Sequence, residues 1–392
     1  MKKLLSLVLL GSILVGLVGC GSTPSATMSS SQPVLSSSSV PEEIVLEPAY
    51  LTGEEKDSDY PEGQRIVGVM MNNRKDSWPH SGMSEAKIVY EIVVEGGITR
   101  FMCVFEDYKT LPKVGSVRSA RDQFFQLLLP TYGFYVHDGP NVADNPPVIQ
   151  MLRTYEYDEF NIEPNKTSGA FYRDPARYKK GWDTDATEYI DGERLAEAIA
   201  SRGLDDYRSY GSPIFNFVPY TDPARVLEGG TATDVIVTHS NAYRSSFIYN
   251  ESTGQYEMAK YVSASNPQAA VIDENTNTQV AFDNVIVLFA PMTNYANSPL
   301  VKVDYTQGGI GYYFNGGKFE VIRWQKGGPN QALQLFVNDT TATPLQLNVG
   351  TSYIGIVDDD NLEKFASDVQ SGSFDPNAVV SEPDYSGVVD AD

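Results

Sequence analysis

Cysteine and histidine are scarce in this sequence, which has two cysteines and three histidines among 392 residues. One cysteine, Cys20, closes an apolar N-terminal segment, so only Cys103 remains once Cys20 is modified, and an intrachain disulfide is excluded. The histidines, His80, His137 and His239, are too widely scattered to match the usual spacing of metal ligands. We therefore expect neither a disulfide scaffold nor a metal site, and no cofactor.

Positive charge is also scarce, because the sequence has 29 Lys and Arg residues and 51 Asp and Glu residues. Removal of residues 1–19 takes away Lys2 and Lys3 and leaves 27 basic against 51 acidic residues, a net charge of −24. Such a protein repels nucleic acid and anionic lipid surfaces. An anionic ligand must therefore be held by a local cluster of Arg and Lys side chains, and nucleic acid is not an expected partner.

The longest apolar run stands at the N-terminus, where Lys2 and Lys3 precede the segment Leu4–Val18. This run is shorter than a typical transmembrane helix and is typical of the apolar region of a signal peptide. Small residues and then Cys20 follow, an order that resembles the bacterial lipobox, in which the cysteine takes a diacylglycerol before cleavage. We expect a signal peptide over residues 1–19 and a two-chain lipid on Cys20 that anchors the protein to the extracytoplasmic face of the membrane. The alternative is an ordinary secretory signal with a chance cysteine.

Composition divides the rest of the chain into four parts. Residues 20–62 hold the lipidated cysteine and a linker rich in Ser, Thr and Pro that we expect to be disordered, with order beginning near Arg65. Residues 63–210 alternate strands and helices and predict an α/β domain. Residues 211–362 carry short β-rich runs between turns and predict an antiparallel β domain. Residues 363–392 form an acidic tail. The predicted fold class is therefore α+β.

Local patterns predict the elements of the N-terminal domain. Gly96-Gly97 is typical of a tight turn between two strands, and Ser116 or Ser119 can cap a helix. The predicted strands and helices are Ile66–Met71, Ile88–Glu95, Ile98–Phe105, a helix running to Leu129, Phe134–His137 and a helix over Gly192–Ala200.

Three stretches of the chain resemble the family of YerB-like lipoproteins. They run from Val67-Gly68-Val69-Met70-Met71 to Glu95-Gly96-Gly97-Ile98-Thr99-Arg100-Phe101, over Lys113-Val114-Gly115-Ser116-Val117-Arg118-Ser119-Ala120-Arg121, and from Gly309-Ile310-Gly311-Tyr312-Tyr313-Phe314 to Leu347-Asn348-Val349-Gly350-Thr351. The resemblance covers most of residues 63–358. It implies a membrane anchor and an ectodomain in two parts, both of them domains of unknown function, and it supplies no settled activity.

The predicted hairpin places acids and a cation together. A two-residue turn pairs Val93 with Arg100, so that Arg100 lies on the face that carries Glu91 and Glu95. Glu95 could then act as a general acid with Arg100 orienting it, and the alternative is a cross-strand ion pair on a solvated face. Four residues of strand span about 13 Å, too far for Glu91 and Glu95 to form a glycosidase pair about 5–9.5 Å apart.

Further cations and a histidine extend the candidate site. Arg118 and Arg121 share a face of the predicted helix at its N-terminus, where cations oppose the helix dipole, and this arrangement predicts an anion-binding pair. The alternative is pairing with acids such as Asp122. Arg173 is a third ligand-binding candidate. His137 ends a strand and could assist catalysis, although a structural histidine is the alternative.

A protein anchored to the outer face of a membrane has the cell wall as its large accessible polymer. The leading hypothesis is a cell-envelope lipoprotein that binds or processes peptidoglycan, with Glu95 as the acid of a glycan-cleaving activity if the protein is an enzyme. Arg100, Arg118 and Arg121 would hold anionic groups of the glycan or stem peptide. The rival is a non-enzymatic scaffold that docks on cell-wall synthesis proteins. A solute-binding lipoprotein is less favoured, because two similar α/β lobes are not visible.

Overall fold

The computed structural model describes residues 47–139 and 150–369, apart from residues 152, 156–158, 168 and 264. The predicted signal peptide, Cys20, most of the predicted linker and most of the acidic tail lie outside this part of the chain. Within it, no helix combines the length and the apolar character that crossing a membrane requires.

The described residues form short strands and a few short helices. The strands are β1 (Val67–Asn72), β2 (Ile88–Val93), β3 (Thr99–Phe105), β4 (Val114–Gly115), β5 (Phe134–Val136), β6 (Asn161–Ile162), β7 (Phe171–Arg173), β8 (Glu188–Ile190), β9 (Asp234–Thr238), β10 (Arg244–Asn250), β11 (Gln255–Lys260), β12 (Ala269–Ala270), β13 (Ala281–Phe282), β14 (Asn284–Ala290), β15 (Met292–Asn294), β16 (Val301–Val303), β17 (Gly309–Asn315), β18 (Lys318–Gln325), β19 (Gln334–Val337) and β20 (Ser352–Asp358). The helices are α1 (Asp122–Leu128), α2 (Pro175–Lys179), α3 (Gly192–Arg202) and α4 (Leu362–Asp368).

A mixed sheet of ten strands runs through both predicted domains, in the order β19-β18-β17-β14-β20-β2-β3-β1-β5-β6. Strands from the two parts meet where β2 pairs in parallel with β20, with Ile88 opposite Ser352. The described residues accordingly form one compact unit. The α+β class is confirmed, and the predicted domains are two stretches of sequence that complete a single sheet.

The strands at the centre of this sheet are buried on both faces. Along β1, Val67, Val69 and Met71 face a core shared with β9, β10 and β11, whereas Met70 faces a core shared with α1. This alternation follows from the two-residue period of a strand. A strand buried on both faces needs apolar side chains in every position, which explains the continuous apolar runs in the sequence.

Three smaller sheets complete the architecture. β9 to β12 form one of them in reverse sequence order, with β13 beside β11, and β4, β8 and β7 form a second. β15 and β16 pair alone. The second sheet matters for the candidate site, because it places Arg173 opposite Glu188 on neighbouring antiparallel strands.

The described parts of the predicted linker and tail pack against the rest of the protein. Leu51 is fully buried and its backbone N–H donates to Glu106 Oε1 at 2.8 Å, while the ring of Tyr50 stacks on Tyr210 at 3.9 Å. Order therefore begins well before Arg65. At the other end, Phe365 in α4 packs into the core with 4% of its surface exposed. Apolar side chains in otherwise polar segments are what draw both ends onto the sheet.

Candidate functional site

The turn between β2 and β3 has three residues, not the predicted two. The N–H of Val94 donates to Ile98 O at 2.7 Å, and both Gly96 and Gly97 adopt positive φ angles of about 72° and 71°. Arg100 is consequently opposite Ile92 instead of Val93. A register shift of one residue moves a side chain to the other face, so the predicted common face of Arg100 and Glu91 is wrong.

Glu95 binds two arginines at the end of this turn. Arg121 Nε donates to Glu95 Oε2 at 2.8 Å and its Nη2 donates to Oε1, while Arg100 Nη2 lies 3.4 Å from Oε1. Arg100 also donates through Nη1 to Ser119 O at 2.6 Å. Both guanidinium groups are buried, with 3% and 6% of each residue exposed. The structure therefore brings together three of the predicted site residues.

The charges of this cluster favour an ionised Glu95. Burial alone would raise the pKa of its carboxyl group, but the hydrogen bonds of Arg121 and the charge of Arg100 outweigh burial and lower the pKa to about 2. Burial and the neighbouring charge of Arg121 lower the pKa of Arg100 to about 9. A carboxylate with this pKa carries no proton to donate at neutral pH. The general-acid role of Glu95 stays a prediction, and the geometry favours a role in holding the two arginines.

Arg118 and Arg121 do not share a helical face, and this prediction is wrong. Residues 118–120 lie outside any helix, and Arg118 N–H donates to Met70 O while Ala120 N–H donates to Gly139 O. Helix α1 begins only at Asp122. Arg118 instead pairs with Asp185, with 2.9 Å between Nη1 and Oδ1. The two arginines therefore serve different carboxylates.

Arg118 and Arg173 lie near a carboxyl pair that the sequence did not predict. Arg173 Nη2 lies 3.4 Å from Glu188 Oε1, and both Arg118 and Arg173 act electrostatically on Glu188. Burial and the facing carboxyl of Asp138 nevertheless raise the pKa of Glu188 to about 7. At neutral pH this pair can therefore hold or release a proton. Glu188 precedes Tyr189 and Ile190 in the sequence, and nothing in this local pattern points to Asp138 as its partner.

His137 follows β5 and is fully buried, with its ring 5.0 Å from the ring of Tyr135. Burial lowers the pKa of the imidazole to about 3, so the ring is neutral at physiological pH. The next residue, Asp138, donates its N–H to Arg118 O at 3.1 Å. His137 is thus adjacent to the carboxyl pair along the chain, and its predicted catalytic role stays a prediction.

A second polar cluster is buried between the two predicted domains and was missed by the sequence analysis. Its centre is Glu91, of which 1% is exposed. The groups around its carboxylate are Thr99 Oγ1 at 2.7 Å, Ser245 Oγ at 2.7 Å, Tyr353 OH at 2.8 Å, Asn73 Nδ2 at 3.2 Å and His239 Nε2 at 3.5 Å. Burial alone would raise the pKa of Glu91, but His239 and the other partners lower it to about 2.

Lys260 extends this cluster towards the surface. Its amine nitrogen donates to Asn73 Oδ1 and lies 2.8 Å from His80 Nε2, with the rings of Trp78 and Phe101 at 4.5 and 4.6 Å. The partners come from sequence positions more than 150 residues apart, as the separation of 187 between Lys260 and Asn73 shows. A single sequence offers no signal for such a meeting.

Comparison with known families identifies both parts of the chain. Residues 51–205 match the N-terminal domain of a protein family of unknown function, DUF3048, and residues 235–354 match the C-terminal domain of the same family. The chain belongs to the DUF3048 family. The predicted resemblance and the two-part organisation are thereby confirmed.

The YerB protein of Bacillus subtilis is similar to this chain both in sequence and in structure. Over 77 residues the chain is 43% identical to a protein of Bacillus subtilis (strain 168) named "Putative lipoprotein YerB", a match that covers 19% of this chain and 23% of that protein. The crystal structure of the YerB protein from Bacillus subtilis matches the fold with a TM-score of 0.65 at 22% identity, over 80% of this chain and 97% of that one. The sequence match thus spans less than a quarter of that relative, and the structural match establishes the fold.

Proposed function

We propose that this DUF3048 protein is a lipid-anchored lipoprotein on the extracytoplasmic face of the membrane that binds peptidoglycan fragments at Arg118 and Arg173. The observation that carries the proposal is the alternation of charge around Glu188. Two guanidinium groups, with 17% and 42% of each side chain exposed, stand beside Glu188, Asp138 and Asp185. Both guanidinium groups keep exposed surface that a ligand could contact, although Arg118 is paired with Asp185 and Arg173 with Glu188.

Alternating charges of this kind suit a zwitterionic ligand better than a simple anion. A stem peptide offers carboxylates that the guanidinium groups can bind through charge-assisted hydrogen bonds. It also offers amino groups that can donate hydrogen bonds to Asp185 or to the carboxyl pair. Arg100 and Arg121 are engaged by Glu95 and would support the site without touching the ligand.

The test uses the full-length lipoprotein in detergent and soluble fragments released from sacculi by a muramidase. Isothermal titration calorimetry should detect binding by the wild-type protein. Arg118→Gln and Arg173→Gln should each weaken it roughly ten-fold or more, because a charge-assisted hydrogen bond contributes about 1.5–3 kcal/mol. The matched control is Lys318→Gln, which removes a cation from β18 of the ten-stranded sheet, whereas Arg173 and Glu188 lie on β7 and β8 of a separate sheet.

Unchanged affinity in a folded Arg118→Gln/Arg173→Gln double variant would remove these residues from the site. Absence of binding by the wild-type protein would overturn the proposal and favour its rival, a scaffold that docks on cell-wall synthesis proteins.

Processing of the wall is a second candidate function, and the carboxyl pair of Glu188 and Asp138 favours it. General acids work best when their pKa lies near the working pH. Glu188 meets this condition with a pKa of about 7, whereas Glu95, with a pKa of about 2, does not. Mass spectrometry of fragments released from intact sacculi by the wild-type protein separates processing from binding alone.

A further inference from the structure

Lys260 lies at the base of a cleft that is separate from the proposed peptidoglycan site. The cleft encloses about 320 Å³ and is lined by Trp78, Pro79, His80, Lys260 and the segment 269–272. Lys260 closes β11 and is 4% exposed. Lys260 is therefore almost fully buried in the wall of the cleft.

The hydrogen-bond partners of this amine are neutral. Nζ donates to Asn73 Oδ1 and lies 2.8 Å from His80 Nε2, and within the described part of the chain Lys260 forms no ion pair. The nearby carboxylate of Glu91 is already bound by Thr99, Ser245 and Tyr353. A buried ammonium without a directly paired carboxylate is costly, so the neutral amine is favoured.

The ionisable groups around Lys260 support the same conclusion. Burial lowers the pKa of Lys260 to about 7, although the charge of Glu91 opposes that effect. Burial, Lys260 and Arg177 lower the pKa of His80 well below its usual value. At neutral pH the cleft therefore presents a free amine beside a neutral imidazole.

His80 is placed to move protons for this amine. Its Nε2 is within hydrogen-bond distance of Lys260 Nζ, and its Nδ1 is buried without a hydrogen-bond partner. An imidazole with one nitrogen on the nucleophile and the other unengaged can take a proton from the attacking amine and return it to a leaving oxygen.

We propose that Lys260 Nζ forms an imine with a small aldehyde or ketone that enters the cleft between Trp78 and β12. The nitrogen lone pair attacks the carbonyl carbon, a C–N bond forms and the C=O π bond opens, while His80 passes the first Nζ proton to the oxygen and gives a carbinolamine. His80 then passes the second Nζ proton to the hydroxyl group, which leaves as water as the C=N bond forms. The step needs no oxidant or reductant.

The lining of the cleft sets the class of carbonyl compound. The indole of Trp78 and the side chains of Ala270, Val271 and Ile272 are apolar or aromatic. A volume of about 320 Å³ is at the lower end for ligand pockets. The geometry therefore selects a small compound with an aromatic or aliphatic substituent.

The test traps the imine in the full-length protein. Benzaldehyde and sodium cyanoborohydride are added at pH 7, and the benzylated lysine is located by peptide mass spectrometry. Lys260 should react at least about 100-fold faster than the exposed Lys179 and Lys180, because ordinary lysines, with a pKa of about 10.4, hold roughly a thousand-fold less free amine at this pH.

Lys326 is the matched control for burial alone. Burial also lowers its pKa to about 7, but its Nζ donates to the backbone oxygens of Gly328, Pro329 and Gln331. We expect Lys326 to stay unmodified, because three acceptors hold its amine away from any reagent. Equal modification of Lys326 and Lys260 would show that burial, and not the cleft, sets the reactivity.

Variants of the cleft separate a reactive amine from a structural one. Lys260→Arg should abolish the fast reaction, and His80→Gln, which keeps an acceptor but cannot shuttle protons, should slow it at least about ten-fold. Ala270→Trp places a large ring on an exposed residue of the lining and should block benzaldehyde. If Lys260 reacts no faster than Lys179, or only after unfolding in urea, the proposal is overturned and the amine is structural.

Discussion

Two partly buried carboxyl groups in this protein have pKa values that are shifted in opposite directions. Glu95 receives hydrogen bonds from Arg121 and the charge of Arg100, and its pKa falls to about 2. Glu188 faces Asp138, and its pKa rises to about 7 although Arg173 and Arg118 are near. The difference comes from the geometry of the partners, because both residues have arginines close by.

This difference predicts opposite effects of Glu95→Gln and Glu188→Gln on the free energy of unfolding. The stability that ionised Glu95 contributes is present above its unfolded pKa of about 4.5 and is lost only as the pH falls through about 2. Glu95→Gln should therefore destabilise the protein at pH 8, by about 1–3 kcal/mol after allowance for solvent screening, since two buried guanidinium groups lose their carboxylate.

The raised pKa of Glu188 makes stability depend on pH in the opposite direction. The stability that protonated Glu188 contributes is fully present below its unfolded pKa of about 4.5 and is lost as the pH rises through about 7. Glu188→Gln should therefore stabilise the protein at pH 8, by up to about 1 kcal/mol, and have little effect at pH 5. Urea unfolding at both pH values measures the effects. Glu62→Gln, which removes an exposed partner of Lys56, is the control and should change little. Equal destabilisation by Glu95→Gln and Glu188→Gln at pH 8 would contradict the assignment.

Sequence reasoning found some of these residues because their signals are local. Glu95 and Arg100 flank one turn, and their pairing follows from proximity along the chain. Glu188 and Lys260 were missed, because their partners arrive from distant segments such as Asp138 and Asn73. Buried polar partners are fixed by tertiary packing, which a single sequence does not display.

At the scale of elements, the turn between β2 and β3 decides the position of Glu95. Three residues, two of them glycines with positive φ, turn the chain, and Ser240 Oγ donates to Gly97 O at 2.6 Å. This contact joins the turn to the C-terminal part of the chain. The geometry of Gly97 therefore supports both Glu95 and the packing of the two parts.

Gly97→Ala should destabilise the protein by about 1–2 kcal/mol, because an L side chain disfavours the left-handed conformation. A Cβ atom there would lie 3.7 Å from Ser240, so crowding adds little to the strain. Gly97→Asn should cost less, since Asn tolerates positive φ. The midpoint of urea unfolding measures both. Gly211→Ala is the control, because its conformation is ordinary and no atom lies within 4 Å; equal effects at positions 97 and 211 would be inconsistent with backbone strain.

Element prediction succeeded where burial imposes a pattern. β1, β2, β3, β5 and α3 were all predicted close to their observed bounds, because continuous apolar runs and an amphipathic period specify them. The start of α1 was predicted too early, since Arg118 and Ala120 donate to Met70 and Gly139 and stay outside the helix despite serines that could cap it. Tertiary hydrogen bonds outweighed a local signal there.

At the scale of the whole molecule, the sheet joins the two sequence domains. β20, near the end of the chain, is inserted between β2 and β14 and pairs in parallel with both. Composition correctly distinguished an α/β half from a β-rich half, but it could not reveal that the halves share strands. Parallel pairing between residues such as Ile88 and Ser352 leaves no mark in local sequence patterns.

A shared sheet predicts that the two parts unfold together. Three tryptophans report on this, with Trp78 and Trp182 in the N-terminal part and Trp324 in the C-terminal part. In a Trp78→Phe/Trp182→Phe variant, the fluorescence of Trp324 should follow the same urea transition as far-UV circular dichroism. A Trp182→Phe/Trp324→Phe variant should give the same coincidence for Trp78, because a cooperative unit shows one transition to every probe.

Truncation after residue 210 should leave an unfolded chain, since β2 loses β20 and exposes an apolar edge. Two separate midpoints within one variant, or a folded truncated protein, would mean that the halves are independent domains despite their common sheet.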